Sequence, residues 1–291
     1  MSSTRTAGRT TWPRGGTSST GTRSRPGSRR RRRPGGHRLE RSTPHVIDLR
    51  AARNDALLER LYASLYLPNF RIPEQQEDLA TWKALLWSAP VAHRPVFHVL
   101  VATSEPAGTT PLGFVSAEFF RHSSVGLLTY LAVAAAYRRQ GLGRRLVQQA
   151  KTVLREDAAR QGTLLRAIFG EVNDPRGGPT SDGESPTEKR ARVVALAKLG
   201  ARRVPVRYVQ PQLRPGAGRS YSLMLVAFPP NGTAMTHLPS DVIRDFLREF
   251  YRSLGVDDPE RDDDFRAAAE GLTEPCVALA PLEGESAGVA E

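Results

Sequence analysis

The stretch that decides the fold is LLTYLAV (127–133) followed directly by AAAYRRQGLGRR (134–145). The first part is a continuous apolar run rich in β-forming residues, which predicts a buried strand. From the end of the second part onward, Leu142, Leu146, Val147 and Ala150 recur at helical spacing, which predicts an amphipathic helix. A strand that passes through glycines straight into a helix is typical of an α/β fold.

The glycines at this junction predict a phosphate site. The first turn of a helix presents unpaired N–H groups and the positive end of the helix dipole. Gly141 and Gly143 leave room for close approach, while arginines on both sides, Arg138, Arg139 and Arg144, add positive charge. No Lys-Ser/Thr follows and a third glycine is missing, so neither a Walker loop nor a dinucleotide fingerprint is present. A tight turn before an ordinary amphipathic helix is the alternative interpretation.

Working outward, the patterns predict the order β-α-α-β-β-β-α-β-α-β-β. Asn54 or Asp55 can cap the first helix, and Pro73 is expected to begin the second. Ser185-Pro-Thr-Glu188 predicts a capping box, Ser240 can cap a last helix, and residues 256–270 are expected to be irregular. The remaining predicted elements are strands over 46–49, 96–102, 112–120, 125–133, 164–172, 204–209 and 221–228.

Composition narrows the classes of function. The 291 residues are 39% hydrophobic and 25% charged, with a mean hydropathy of −0.41. No apolar run approaches the roughly 20 residues that span a bilayer, so no membrane-embedded protein is expected. The single cysteine, Cys276, excludes a disulfide framework and a cysteine-based zinc site, and the six histidines lack metal-ligand spacing, so no metal is expected. No apolar stretch follows the basic N-terminus as in a signal peptide, so we expect a cytoplasmic protein.

The net charge of +12 is concentrated at one end. Residues 1–41 hold twelve arginines and one acid, whereas the rest holds 30 basic against 29 acidic residues. The Ser/Gly/Pro/Arg-rich segment 1–44, with its run Arg29–Arg33, is predicted to be disordered. Three interpretations stay open: a basic arm that touches nucleic acid or acidic partners, a solvated tail, or a mis-assigned start with Val46 as the alternative.

Arg138-x-x-Gly141-x-Gly143 resembles the (Arg/Gln)-x-x-Gly-x-(Gly/Ala) signature of the GNAT acyltransferases. The preceding Leu131-Ala132-Val133 resembles the family's fourth strand, and ALAKLGA (195–201) lies where members often carry Tyr-x-Lys-Leu-Gly-Phe. The resemblance covers about residues 45–228. It implies a mixed, mostly antiparallel central sheet flanked by helices. We therefore divide the chain into a disordered arm (1–44), a GNAT domain (45–230) and a helical extension (231–291).

The resemblance implies acetyl-CoA as co-substrate and a primary amine as acceptor, in a small molecule or a peptide. The amides of Arg139 to Arg144 would hold the pyrophosphate, and the strand amides would bond the pantetheine arm, with that of Val133 polarising the thioester carbonyl. Leu196 occupies the place of the family's usual tyrosine acid; Tyr208 and Tyr221 are possible substitutes, and a CoA thiolate can also leave without an acid. The implied donor site comprises Leu131, Ala132, Val133, Arg138, Arg139, Gln140, Gly141, Leu142, Gly143 and Arg144.

Direct attack by an amine needs a base, and the inner candidates are Glu171 and Glu118. A capping or ion-pairing carboxylate is the alternative interpretation for each. The segment Arg207–Arg214 is expected to wall the acceptor pocket, with an edge strand that ends at Pro211 as the alternative interpretation. The extension is expected to pack on the core or on a second subunit of a homodimer. Two other functions remain open: an acyl-CoA-binding regulator without turnover, and a nucleic-acid-associated protein that acts through the arm alone.

Overall fold

A computed structural model describes residues 44–88, 94–177 and 184–282 of the chain. These residues all belong to one compact unit that begins at Ser42. The predicted arm, residues 1–44, lies outside the described residues except for Pro44.

The centre of the fold is a seven-stranded sheet in the order β1-β2-β3-β4-β5-β7-β6. Neighbouring strands are antiparallel except β4 and β5, which are parallel, so the expected mostly antiparallel mixed sheet is confirmed. A separate antiparallel pair is formed by β8 and β9. The strands are β1 His45–Asp48, β2 Val96–Thr103, β3 Gly113–Phe120, β4 Val125–Val133, β5 Ala167–Asn173, β6 Arg202–Arg203, β7 Leu223–Phe228, β8 His237–Pro239 and β9 Cys276–Ala278.

Helices cover both faces of the sheet. The α5 and α6 helices pack on one face. On the other face α1, α2 and α4 cover one half and α7 and α8 cover the other. The helices are α1 Leu49–Ala52, α2 Asp55–Leu61, α3 Leu67–Asn69, α4 Leu79–Trp87, α5 Leu142–Arg160, α6 Pro186–Ala197, α7 Ser240–Ser253 and α8 Asp263–Glu270, with a π-helical turn at Tyr62–Tyr66 and 3-10 turns at Pro73–Gln75, Ala135–Tyr137 and Pro259–Arg261.

The alternation of side chains along the strands explains this layering. On β3 Val115, Ala117 and Phe119 point into the cluster beneath α5, so Phe114 and Glu118 belong to the opposite face. On β5 Ile168 and Val172 share the α5 face, which leaves Phe169 and Glu171 on the opposite face. Glu118 and Glu171 therefore lie on the same face of the sheet, the one that α1, α2 and α4 cover on one half and α7 and α8 cover on the other.

Several predicted elements are wrong. Pro73 begins only a short 3-10 turn, and the second helix starts at Leu79, where Asp78 accepts the N–H of Thr81. The expected strand over 204–209 is instead the two-residue β6 at Arg202–Arg203, with irregular chain after it. Residues 256–270 are not irregular, because α8 is capped there by Asp262. Ser240 is the first residue of α7 rather than its cap, and its hydroxyl bonds the carbonyl of Glu274.

The strands β4 and β5 separate partway along their length. They pair only from Val125–Ala167 to Leu128–Gly170, although both strands continue further. At that point β4 also bulges, since the pairing with β3 shifts between Val115 and Ala117. Beyond Leu128 a gap opens between β4 and β5, and the edge of β4 that faces β5 has no strand partner there. Bulges such as this one are often found next to active sites.

Across the described part of the chain, none of the helices combines the length and the apolar character needed to cross a membrane.

Candidate active site

The N-terminus of α5 is open. Its cap position is Gly141 at φ +82, a left-handed conformation that favours glycine, and no side chain caps the helix. Arg139 just before it also has a positive φ, of 60°. The first turn of the helix therefore presents free backbone N–H groups at the positive end of the dipole.

The edge of β4 beside the gap offers backbone donors as well. Ala134 donates its N–H to the carbonyl of Leu112, 2.9 Å away, on the β3 side. Because successive N–H groups of a strand point to opposite sides, the N–H groups of Val133 and Leu131 face the gap. Both residues lack a β5 partner, since pairing with β5 ends at Leu128. These amides can bond an extended chain that enters between the two strands.

One cleft of about 2140 Å³ joins these features. The residues of the predicted donor site line it with the exception of Gln140, whose side-chain amide bonds the Ala136 carbonyl instead. Glu118 and Glu171 line the same cleft, so the fold brings both base candidates beside the donor residues.

Glu77 also lines the cleft, and its charge acts on both Glu118 and Glu171. It lies in the connection between the 3-10 turn and α4. The indole N–H of Trp82 donates to its carboxylate at 2.9 Å, and its backbone N–H donates to the Tyr66 hydroxyl at 2.8 Å. Burial raises the pKa of Glu77 to about 7 although the bond from Trp82 lowers it.

Glu171 is held by two donors from the segment after β6. The Tyr208 hydroxyl and the Gln210 amide both bond the same carboxylate oxygen, the amide at 2.8 Å. Burial raises the pKa of Glu171 to about 7, the two hydrogen bonds lower it, and the charge of Glu77 raises it further. A carboxyl group that titrates near neutral pH is suited to accept a proton from an amine.

Glu118 lies deeper in the cleft. It is 8% exposed, and among the described residues its carboxylate has no hydrogen-bond donor and no ion-pair partner. Burial raises the pKa of Glu118 well above its usual range, and the charges of Glu77 and Glu171 add to the effect. The three carboxylates are therefore close enough to sense one another.

The segment Arg207–Arg214 supplies part of the cleft lining through Gln210, Gln212, Leu213 and Arg214. The C-terminal helices hold this segment in place. The Tyr251 hydroxyl donates to the carbonyl of Val209 at 2.9 Å. Arg219 pairs with Asp262 and, at 2.7 Å, with Asp264. Phe250 and Leu254 of the same extension line the cleft themselves, so this part of the chain packs on the core.

The tyrosines proposed as substitute acids occupy different positions. Tyr208 is buried and bonds Glu171, whereas Tyr221 is 65% exposed and bonds Asp264. Leu196 lines the cleft and offers no proton. The structure thus presents no hydroxyl from the position where the family usually carries its acid.

Sequence reasoning missed Glu77 and Tyr130. Glu77 follows Pro73, and in the helix expected to begin there it would lie in the opening turns, where an acid is ordinary. In the structure the Tyr130 hydroxyl bonds the carbonyl of Gln75 at 2.8 Å, which fixes the connection that carries Glu77. The only sequence signal for Tyr130 was a polar aromatic residue inside an apolar strand.

Residues 58–169 match the model of the Acetyltransferase (GNAT) family. Among curated protein sequences, none matches the chain. Solved structures with a similar arrangement include a GNAT-family protein from Bacteroides thetaiotaomicron (16% identity, 63% of this chain and 86% of that chain, TM-score 0.45). A second is NAA60 of Arabidopsis thaliana in complex with acetyl-CoA (15% identity, 64% of this chain and 98% of that chain, TM-score 0.41). A third is the ribosomal-protein-S18-alanine N-acetyltransferase of Escherichia coli (15% identity, 66% of this chain and 96% of that chain, TM-score 0.39).

Proposed function

Residues 58–169 belong to the GNAT acetyltransferase family, and on that premise we propose that the protein transfers an acyl group, acetyl in the first instance, from acyl-CoA to a primary amine. The observation that carries the proposal is a single cleft in which an uncapped helix N-terminus, an unpaired strand edge and a group of glutamates meet. The first two features suit a diphosphate and an amide-bearing chain, and the third suits an amine.

The donor side follows from the backbone. The amides between Arg139 and Arg144 would bind the pyrophosphate of acetyl-CoA, with help from the dipole of α5. The pantetheine arm would bond the free edge of β4 in the gap. The N–H of Val133 would polarise the thioester carbonyl and stabilise the negative charge that develops on its oxygen.

On the acceptor side we assign the role of base to Glu171. It lies on β5, the strand that borders the gap, and Tyr208 and Gln210 fix its carboxylate. Glu171 would take one proton from the ammonium group, and the free amine would then attack the thioester carbon. The new C–N bond forms, the C–S bond breaks, and the second proton lost by the nitrogen goes to the departing sulfur. Glu118 lies on β3, away from the gap, and we assign it to binding the acceptor.

No protein acid is required by this scheme. Leu196 cannot donate a proton, and the hydroxyl of Tyr208 is engaged with Glu171. A thiolate is a stable leaving group, so the absence of the tyrosine that is usual in the family is compatible with turnover.

The test is thiol release from acetyl-CoA over a panel of amines. Glu171→Gln should lower kcat/KM at neutral pH by about 10²- to 10⁴-fold, the usual contribution of a general base, while the Kd for CoA stays the same. Glu270→Gln, which removes an exposed carboxylate at the end of α8, is the matched control and should leave both values unchanged.

Unchanged turnover in Glu171→Gln would remove Glu171 from the mechanism. Binding of CoA without transfer to any amine would favour the acyl-CoA-binding regulator instead. If CoA does not bind near residues 138–144, the donor site assigned above is wrong.

A further inference from the structure

The acidic part of the cleft holds more carboxyl groups than the transfer reaction needs. One carboxylate suffices as base, yet Glu77, Glu118 and Glu171 meet on one face of the sheet. Within the described residues none of the three forms an ion pair. A buried carboxylate without a positive partner is costly, and a cationic ligand would remove this cost and favour the ionised form.

Glu118 is the strongest indication of such a ligand. It is only 8% exposed, and its carboxylate still lines the cleft without any donor among the residues described. The side chain of Gln210 is a second indication of a ligand. Gln210, 5% exposed, gives its N–H to Glu171, and its buried amide oxygen has no donor in the described structure. Both groups accept hydrogen bonds, as a site for N–H groups requires.

The arginines that line the cleft do not neutralise Glu77, Glu118 and Glu171. Arg71, Arg94 and Arg214 line the cleft but are exposed at its rim. Arg71 bonds the carbonyl of Pro68 and Arg214 that of Pro73. The cleft therefore has a basic rim and an acidic interior, an arrangement that favours a compact cation on the inside.

We propose that the acceptor is an amine with a second positive charge, which Glu118 and Glu77 bind while the reacting amine lies at Glu171. The inference rests on the proposed N-acyltransferase function and names the class of its acceptor. A second ammonium or guanidinium group would meet both carboxylates in a site closed off from bulk water, where charge-assisted hydrogen bonds are strong. An acceptor with a neutral group in that place would leave Glu118 buried and unpaired.

The experiment compares kcat/KM of the full chain for α,ω-diamines of three to six carbons with amino alcohols of the same chain lengths. The two series differ only in whether the far end is charged. We expect the diamine of best length to be favoured by about 10- to 100-fold, the range of a hydrogen bond to a charged group. The second reactive amine of a diamine accounts for a factor of only about two, by simple statistics.

Variants locate the effect. Glu118→Gln should reduce the preference to about twofold, mainly by raising KM for the diamine, since a neutral amide no longer attracts the second ammonium. Glu77→Gln should reduce it as well, and its amide oxygen can still accept the Trp82 bond. Glu74→Gln is the control: Glu74 lies on the same segment, outside the residues that line the cleft, and the preference should persist.

A wild-type preference within about threefold would overturn the inference while leaving the proposed function intact, since both series would still be acetylated. The inference would likewise be overturned, with the proposed function intact, if Glu118→Gln lowered turnover of both series equally while its thermal unfolding stayed the same. Failure to acetylate any amine would instead overturn the proposed function. Calorimetric titration of the diamine into the protein with CoA would then still decide the inference: binding that is lost in Glu118→Gln supports it, and no binding overturns it.

Discussion

At the scale of single residues, the hydroxyl of Tyr208 controls the proton affinity of Glu171. Its hydrogen bond lowers the pKa of a carboxyl that burial has raised to about 7. If Glu171 is the base, as we propose, it must be ionised to work, so kcat/KM of the wild type should fall as the pH drops below about 7. Tyr208→Phe removes the donor and should shift this fall in kcat/KM, the acidic limb of the pH profile, to higher pH. Activity should be several-fold lower at pH 7 and should recover near pH 9.

The measurement is a pH profile of kcat/KM for both proteins. Tyr221→Phe removes an exposed hydroxyl that bonds Asp264 and should leave the limb in place. A loss in Tyr208→Phe that is the same at every pH would contradict control of the Glu171 proton.

His98 links strand β2 to the rest of the fold through two carboxylates. Its Nδ1 lies 2.8 Å from Asp48 and its Nε2 lies 2.8 Å from Asp157. Burial lowers the pKa of His98, but the two carboxylates outweigh it and raise the pKa to about 9. The stability gained from the charged ring is therefore complete below about pH 6.5 and is lost as the pH rises through 9.

We accordingly expect His98→Gln to destabilise the protein more at pH 6 than at pH 10, by roughly 3 kcal/mol. Urea unfolding of both proteins at the two pH values checks this. His237→Gln alters an exposed histidine and should show no such difference. An equal cost of His98→Gln at both pH values would show that the ring is neutral.

Some site residues could be predicted and others could not. Glu118 and Glu171 interrupt apolar strands, so their placement in a sheet was visible from the sequence. The role of Glu77 depends on Pro73 starting a 3-10 turn in place of a helix, and on the bond from Tyr130 that holds this turn. The bond from Tyr130 leaves no local pattern, because it joins residues that are far apart along the chain.

At the scale of elements, the proposed binding of CoA at the N-terminus of α5 can be tested with a glycine substitution there and a matched control substitution just after its C-terminus. Gly141 and Gly162 both adopt a left-handed conformation, at φ +82 and +69, and a Cβ at either would meet no atom within 4 Å. Gly141→Glu and Gly162→Glu should therefore cost a similar amount of stability, about 1–2 kcal/mol. Only Gly141→Glu should abolish CoA binding, because it places bulk and negative charge at the phosphates.

Calorimetric titration with CoA checks this, and we expect the Kd to rise at least about 100-fold for Gly141→Glu, as loss of charge-assisted hydrogen bonds implies. Equal affinity in the two variants would disprove the assignment of the pyrophosphate to this turn.

The elements around the junction were predictable because local patterns and tertiary structure agree there. The strand over 125–133 and the capping box at Ser185 are found as expected. The predictions failed where packing overrides pattern. The apolar residues of 204–209 suggest a strand. Val204 still bonds β7, through its N–H to the Leu225 carbonyl at 3.0 Å, but the chain then leaves the sheet and Tyr208 packs in the cluster beneath the C-terminal helices. Residues 256–270 are acidic, but Asp262 serves as a cap and pairs with Arg219.

At the scale of the whole molecule, the C-terminal helices cover a face of the sheet that would otherwise be exposed. Phe246 of α7 is fully buried, with its ring centroid 4.6 Å from that of Phe169 and 5.4 Å from that of Phe120. Phe246→Ala should lower the free energy of unfolding by about 3–5 kcal/mol. Urea unfolding measures this, with Leu164→Ala, at a residue that is 86% exposed, as the control. A cost near zero would show that the extension does not stabilise the sheet.

The bonds from Tyr251 to Val209 and from Arg219 to Asp262 and Asp264 also have a consequence for synthesis of the chain. A ribosome finishes the donor half of the cleft well before it has made α7 and α8. The partners that orient Glu171 then still lack the helices against which they pack. If the proposed function holds, the donor site is complete earlier in translation than the acceptor site, and we expect transfer only after α7 and α8 have been made.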